Sequence, residues 1–264
     1  MPTLLRQFWG IEDKMKTIVY QSVSPDFIPD WLQICLDSVH QWCEQKGWEY
    51  ALIGDEIFDR LPSWYWEKTR HQKVVATDLG RLLLAKDFLN QGYDRAIWLD
   101  ADVLIFNPNA LEIQVTEEYA FGLEVWIQYN KNHQLCAYPK VHNAICVFCR
   151  DNSFLDFYIH ACQRIIKRFQ GKQMVPQLVG PKFLSLLHNT MELPLITEVA
   201  MFSPLVLRDI LKGGGKALSL HQQNQKSSIY AANLSASLAE KQEGLSTEDY
   251  RQATLILLDN PMLG

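Results

Sequence analysis

Two aspartates, Asp100 and Asp102, interrupt the run Arg95-Ala96-Ile97-Trp98-Leu99-Asp100-Ala101-Asp102-Val103-Leu104-Ile105-Phe106. The run is otherwise apolar enough for a buried parallel strand, and an unpartnered carboxylate is costly there, so something positive is expected to meet the pair. Side chains alternate along an extended chain, so residues two apart share a face and can address one ion while Ala101 points away. Carboxylate oxygens suit hard cations such as Mg²⁺ or Mn²⁺, which keep positions for water or a substrate diphosphate. The bland alternative is a strand ending in a turn with two solvated acids, and a bare Asp-x-Asp does not exclude it.

Other residues carry weaker signals. Asp78 and Arg81 are three apart in a helical pattern and so share a face; they read either as a surface ion pair or as a charged pair at a pocket edge that could meet sugar hydroxyls. His221 ends the short apolar run Ala217-Leu218-Ser219-Leu220, and a lone histidine is more often a satisfied polar residue than a metal ligand. Gly213-Gly214-Gly215-Lys216 is followed by Ala217, so the Walker order is absent and the glycines read as a hinge. Trp64-Tyr65-Trp66 could stack on a base or acceptor, touch a membrane interface, or anchor its own loop, the last being the simplest. Asn233-Leu234-Ser235 matches a glycan acceptor, but no secretion signal accompanies it.

The elements that must position these residues follow from periodicity. Thr17–Ser22 reads as a β-branched strand ending in polar residues. Residues 30–46 read as a helix that Gly47 closes, and Trp48–Asp55 as a second strand, which together make a βαβ unit with parallel pairing. Ala76–Asn90 is an amphipathic helix with Gly92 beyond its end, and the aspartate strand follows until Asn107-Pro108-Asn109 stops it. Tyr119–Trp126 reads as a strand, 127–139 as an aperiodic loop, Ala144–Phe148 as a buried strand, and Ser153–Phe169 as a helix. Gly180-Pro181 opens another helix. Beyond it the expectations are short strand pieces at 193–197 and 201–204, a polar mobile stretch over 222–245, and a final helix capped by Ser246 and Asp249. That helix should dock on the body or on a second copy of the chain, as in a homodimer.

Helices alternate with apolar strands throughout, with no internal repeat, and ligands of such α/β sheets sit at the carboxyl ends of the strands. At 264 residues, 48% hydrophobic, the chain can bury one sizeable core. The net charge of -5 argues against a broad nucleic-acid surface. Six cysteines show no zinc spacing, including Cys146-Val147-Phe148-Cys149, and read as buried free thiols of a reducing compartment. Residues 1–16 mix acids and bases with apolar residues and lack a signal-peptide core, and no run is long enough to span a membrane. The expectation is a cytoplasmic protein.

The sequence Ala76-Thr77-Asp78-Leu79-Gly80-Arg81, then helix, Gly92 and Ile97-Trp98-Leu99-Asp100-Ala101-Asp102-Val103, resembles the signature of glycosyltransferases with the sugar-binding DXD motif, best of all glycosyltransferase family 32. Tyr20-Gln21-Ser22, Pro29-Asp30-Trp31-Leu32, Asn143-Ala144, Gly180-Pro181 and His221 continue the resemblance in order. The resemblance implies a GT-A fold, a single Rossmann-like, mostly parallel sheet flanked by helices, with the catalytic domain over 17–233, a leader over 1–16 and a tail with a docking helix over 234–264. It implies a UDP- or GDP-sugar donor held through Mn²⁺ or Mg²⁺ and transfer with retention to a sugar, polysaccharide or lipid-linked acceptor. Asp102 then resembles the direct metal ligand, and Asp100 a donor contact sharing the metal shell. Asp78 and Arg81 resemble the pair gripping the donor sugar, Asn143 lines the sugar pocket, Gln21 the nucleotide pocket, and His221 resembles a late metal ligand. The chain departs in having one glycine before the strand and no aromatic just after His221. Two rivals remain: a non-catalytic nucleotide-sugar-binding module, and a haloacid-dehalogenase-type phosphatase, whose motif carries a threonine where this chain has Leu104.

Overall fold

The computed structural model describes residues 15–171, 173–236 and 244–261. Nearly all of the expected leader and residues 237–243 lie outside the described residues. The first unit is the expected βαβ: β1 (Thr17–Ser22) pairs in parallel with β2 (Glu49–Ile53) across the helix α1 (Asp30–Lys46). Gly47 ends α1 in the left-handed region, at φ 65°, where a side chain would be strained. A 3-10 turn (Asp55–Arg60) and a short helix α2 (Ser63–Thr69) lead to α3 (Lys73–Asn90), which returns the chain to β3 (Arg95–Leu99), parallel to β1.

The sheet is mixed. Its order is β2-β1-β3-β6-β5-β7, where β5 is Tyr119–Tyr129, β6 is Leu135–Cys149 and β7 is Leu195–Ile196. Both pairings of β6, to β3 and to β5, are antiparallel, whereas β7 joins β5 in parallel. A second, three-stranded sheet, β4 (Val103–Ile105), β9 (Ala231–Asn233) and β8 (Val199–Met201), stands beside it where the sequence reading expects one sheet only.

Three apolar clusters fill the layers. Leu79, Leu82, Phe148, Tyr158 and Leu184 pack α3, α4 (Phe154–Arg168) and α5 (Pro181–Met191) against one face of the large sheet. On the other face Val39 and Trp42 of α1 meet Ile97, Val103 and Ile105. Trp31, Phe202, Leu207 and Tyr250 join α1 to α6 (Pro204–Leu211), α7 (Lys216–Gln223) and α8 (Thr247–Asp259). Ser246 and Asp249 cap α8 reciprocally, as expected, and Tyr250 stacks on Trp31 at 4.7 Å, so this helix docks on the body of its own chain.

Two further expectations are corrected. Residues 127–139 belong to the β5–β6 hairpin, where pairs such as Trp126 with Tyr138 continue the ladder. Their period is hidden because the outer end of the hairpin is largely solvated on both faces. The supposedly mobile 222–245 contains β9, while the short apolar run that ends at His221 lies in α7. Among the described residues no helix is long and apolar enough to cross a membrane.

Candidate active site at the Asp-Ala-Asp turn

β3 ends at Leu99 and β4 begins at Val103, so Asp100, Ala101 and Asp102 form a turn between the two sheets. The Val103 N–H donates to the Asp100 carbonyl at 3.1 Å, and the Asp100 N–H to the Ala144 carbonyl at 2.8 Å. Strand alternation therefore does not bring the two carboxylates together. A tight turn at the carboxyl end of a central strand does.

Around Asp100 a buried polar frame is built from four elements. Arg81 of α3 donates through one terminal nitrogen to Asp100 Oδ1 (3.0 Å) and to the Asn143 carbonyl (2.6 Å), and through the other it pairs with Asp78 at 3.0 Å. Asn143 of β6 donates its amide to Asp78 Oδ1 at 2.8 Å. The Trp98 indole N–H also reaches Asp100 Oδ1, at 2.6 Å, and the guanidinium carbon lies 4.7 Å from the Trp98 ring centroid. Gln21 of β1 donates to the Asp100 carbonyl at 3.0 Å and accepts from Tyr50 Oη at 2.9 Å. The Tyr20 hydroxyl holds the Arg81 carbonyl at 2.8 Å.

These contacts show what the side chains meet inside the protein. Asp78 and Arg81 are 2% and 4% exposed, so the pair is not a surface salt bridge. Gln21 and Asn143 are equally enclosed and spend their amides inside the protein. The four residues form the support beneath Asp100. Asp78 is pushed up to about 6 by burial, against the pull of Arg81 and Asn143. Burial works against the charge on Arg81, but Asp100 and Asp78 more than offset it and its pKa is raised. Asp78 Oδ2 and Arg81 Nε are buried without a hydrogen-bond partner among the described residues. Gly180, at the start of α5, closes over this frame: a Cβ there would lie 2.8 Å from Asn143 Nδ2 and 2.9 Å from Asp78 Oδ2.

Asp102 is held differently. Its Oδ1 accepts from Asn233 Nδ2 at 2.6 Å, its Oδ2 from the Ala236 N–H at 3.0 Å, and its carbonyl from the Leu234 N–H at 3.0 Å. Burial, and then the nearby charge of Asp100, push it up to about 6 despite these bonds. Asp100 thus stands between the Arg81–Asp78 pair on one side and Asp102 on the other, and its charge acts on both of the other acids.

His221 is not brought to this turn. It lies on α7, buried, with its ring edge-on to Phe202 (centroids 5.2 Å apart) and Gln225 Nε2 2.9 Å from its Nε2. Burial lowers its pKa to about 4. A different histidine, His142, senses Asp100. Its ring occupies the space left by Gly122, its Nε2 lies 3.1 Å from the Val199 carbonyl, and its Nδ1 accepts from the Ala144 N–H. Burial keeps it neutral, with its pKa lowered to about 4.

Among the described residues no group of three or more His, Cys, Asp or Glu side chains is gathered to hold a metal ion. The donor chemistry nonetheless fits a hard cation bound by two carboxylates, with other positions left for phosphate and water. Asp100 Oδ2 makes no hydrogen bond with a described residue, and the Asp100 side chain is 28% exposed. Each Asp102 oxygen keeps a lone pair beyond the bond it accepts.

Sequence reasoning missed Trp98, His142 and Asn233. Trp98 carries a signal, since it stands two residues before Asp100, the spacing that puts two side chains on one face of an extended chain. Asn233 carries none, because it reaches Asp102 only through the pairing of β9 with β4.

No protein-family model matches the chain, and no curated protein matches it. Among the solved structures that resemble it is a glycosyltransferase involved in the glycosylation of the major capsid of PBCV-1, 11% identical, with a TM-score of 0.47 over 91% of this chain and 99% of that one. A197 from STIV is also 11% identical, with a TM-score of 0.28 over 66% of this chain and 78% of that one. Identity and score are low in both, so the functional reading rests on the residues themselves.

Proposed function

We propose that the chain is a metal-dependent glycosyltransferase that moves a sugar from a nucleoside diphosphate sugar to a hydroxyl acceptor, with retention of configuration. The observation that carries this reading is the Asp100-Ala101-Asp102 turn itself, where a partly exposed carboxylate with one unoccupied oxygen stands beside a second carboxylate at the end of a central strand. Excess negative charge at such a point favours a divalent cation, and the resemblance of the ordered motifs to family 32 supplies the substrate class.

Asp100 and Asp102 would hold Mn²⁺ or Mg²⁺, which when bound stabilises charge growing on the departing diphosphate. Arg81 fixes Asp100 Oδ1 and leaves Oδ2 without a hydrogen bond to a described residue, on a side chain that is partly exposed. Trp98 locks the same oxygen from the strand side, and Asp78 with Asn143 keeps Arg81 from turning away. No protein nucleophile is assigned: the acceptor hydroxyl attacks the face from which the diphosphate leaves, and a phosphate oxygen takes its proton.

A thermal-shift screen of nucleotide sugars with and without Mn²⁺ tests the reading, because a ligand of the native state raises the melting temperature with its occupancy. Stabilisation by one UDP- or GDP-sugar that depends on Mn²⁺, followed by transfer to a sugar or lipid-linked acceptor, is the expected outcome. Phosphate release from a phosphomonoester without nucleotide product would instead identify a phosphatase. Metal-dependent nucleotide binding without transfer to any acceptor would identify a binding module.

A further inference from the structure

We propose that Asn233 is a positioning residue for Asp102, holding its carboxylate in the orientation that receives the divalent cation. The inference deepens the metal-dependent reading above and rests on it. Asn233 is 2% exposed and lies on β9, 131 residues from Asp102. Its carboxamide works in two directions. Nδ2 donates to Asp102 Oδ1 at 2.6 Å, while Oδ1 accepts from the Ser235 N–H at 2.7 Å. The second bond folds the chain back at Ser235, which is held at φ 52°, a left-handed conformation uncommon for a side chain larger than glycine. That fold delivers the Ala236 N–H to Asp102 Oδ2 and the Leu234 N–H to the Asp102 carbonyl.

One side chain therefore aligns one carboxylate oxygen directly and the other through the backbone. Neutral donors suit this task. A cation at position 233 would neutralise Asp102 and compete with the metal, whereas a carboxamide fixes direction and leaves the charge in place. The backbone of Asn233 is anchored independently, by pairing with Val103 on one side and Met201 on the other, so the carboxamide is not needed to close the sheet. The Asn-Leu-Ser sequence, which matches a glycan acceptor, is thus accounted for by an internal bond.

The test measures metal binding directly. Asn233→Ala is expected to weaken Mn²⁺ binding, followed by electron paramagnetic resonance in the presence of UDP or GDP, by roughly 10- to 100-fold, the usual effect of removing a group that orients a metal ligand. Its near-ultraviolet circular dichroism should remain native. Unchanged Mn²⁺ affinity in the folded variant overturns the inference while leaving the function proposed above intact; a wild-type chain that binds neither Mn²⁺ nor Mg²⁺ overturns that function instead. A second measurement needs no variant. In ¹⁵N-labelled wild-type protein titrated with Mg²⁺ and nucleotide, the Asn233 side-chain amide and the Ala236 backbone amide should shift with the midpoint of metal binding. Resonances that stay still through saturation refute the role even if Asn233→Ala fails to fold.

Discussion

On the large-sheet side of the turn, Asp100 meets a buried guanidinium and an indole N–H; two residues later, on the small-sheet side, Asp102 meets a carboxamide and a backbone N–H. The first carboxylate has a cation against it, shared with Asp78, and one oxygen left open. The second has both oxygens aligned by neutral groups and its charge left unbalanced, so its proton affinity rises to a pKa of about 6 under burial and the field of Asp100. The contrast teaches that an acidic pair can be positioned without being neutralised, provided that the neutralising cation serves one member and dipoles serve the other. A frame with arginines on both acids would leave little attraction for an incoming cation.

The sharpest way to break this contrast is Asp102→Ala, which removes the unbalanced charge. Metal-dependent transfer, followed with a labelled donor, should fall about a thousandfold or more while the far-ultraviolet circular dichroism is kept. On the other side, Arg81→Met leaves Asp78 and Asp100 without their cation, and urea denaturation should register a loss of about 3–5 kcal/mol, since removing one partner of a buried ion pair strands the other charge. Loss of activity without loss of stability in Arg81→Met would mean that the frame is softer than its geometry implies.

Outside the turn, Glu124 gives a measure of what an unsupported buried acid costs. It is 6% exposed and pushed up to about 7 by burial, with Lys140 pulling it down. A folded-state pKa above the unfolded one stabilises fully at low pH, and that stabilisation is lost as pH rises from about 4.5 through about 7. Glu124→Gln should thus match the wild type near pH 4 and exceed it by roughly 3 kcal/mol at pH 8 in paired denaturation curves. The smallest expected effect is that of Gly180→Ala. Its methyl would press on Asn143 and Asp78, costing about 1–3 kcal/mol of stability and reaching Asp100 only through Arg81. Equal effects of Gly180→Ala on metal affinity and of Asn233→Ala would erase the distinction between the two sides.

Legibility in the sequence follows the reach of the interactions. The boundaries of α1 and the capping box of α8 could be read because both depend on neighbours within a turn: the apolar spacing from Trp31 to Cys43, Gly47 past the end, Ser246 three residues before Asp249. The acids of the turn could be read because carboxylates are conspicuous in an apolar run. Their relation to each other could not, since it depends on β3 stopping at Leu99 rather than continuing. The enclosure of Asp78, Arg81, Asn143 and Gln21 was equally hidden, because spacing shows which residues share a face but not whether α5 and β6 cover that face. His221 was hard to place for a related reason: Ala217–Leu220 is too short for its period to separate a helix from a strand, so the sequence alone could not put the histidine on α7.

The small sheet has one more consequence, for the order of events as the protein is made. Asp102 and its two donors are separated by 131 and 134 positions along the chain, so the βαβ unit, α3 and β3 can assemble long before the strand that completes the turn has been synthesised. A nascent chain halted before Asn233 would already own Asp100 with its arginine, yet hold an Asp102 free to swing. Competence for the ion would then arrive late and abruptly, when the returning segment slots between its two neighbours.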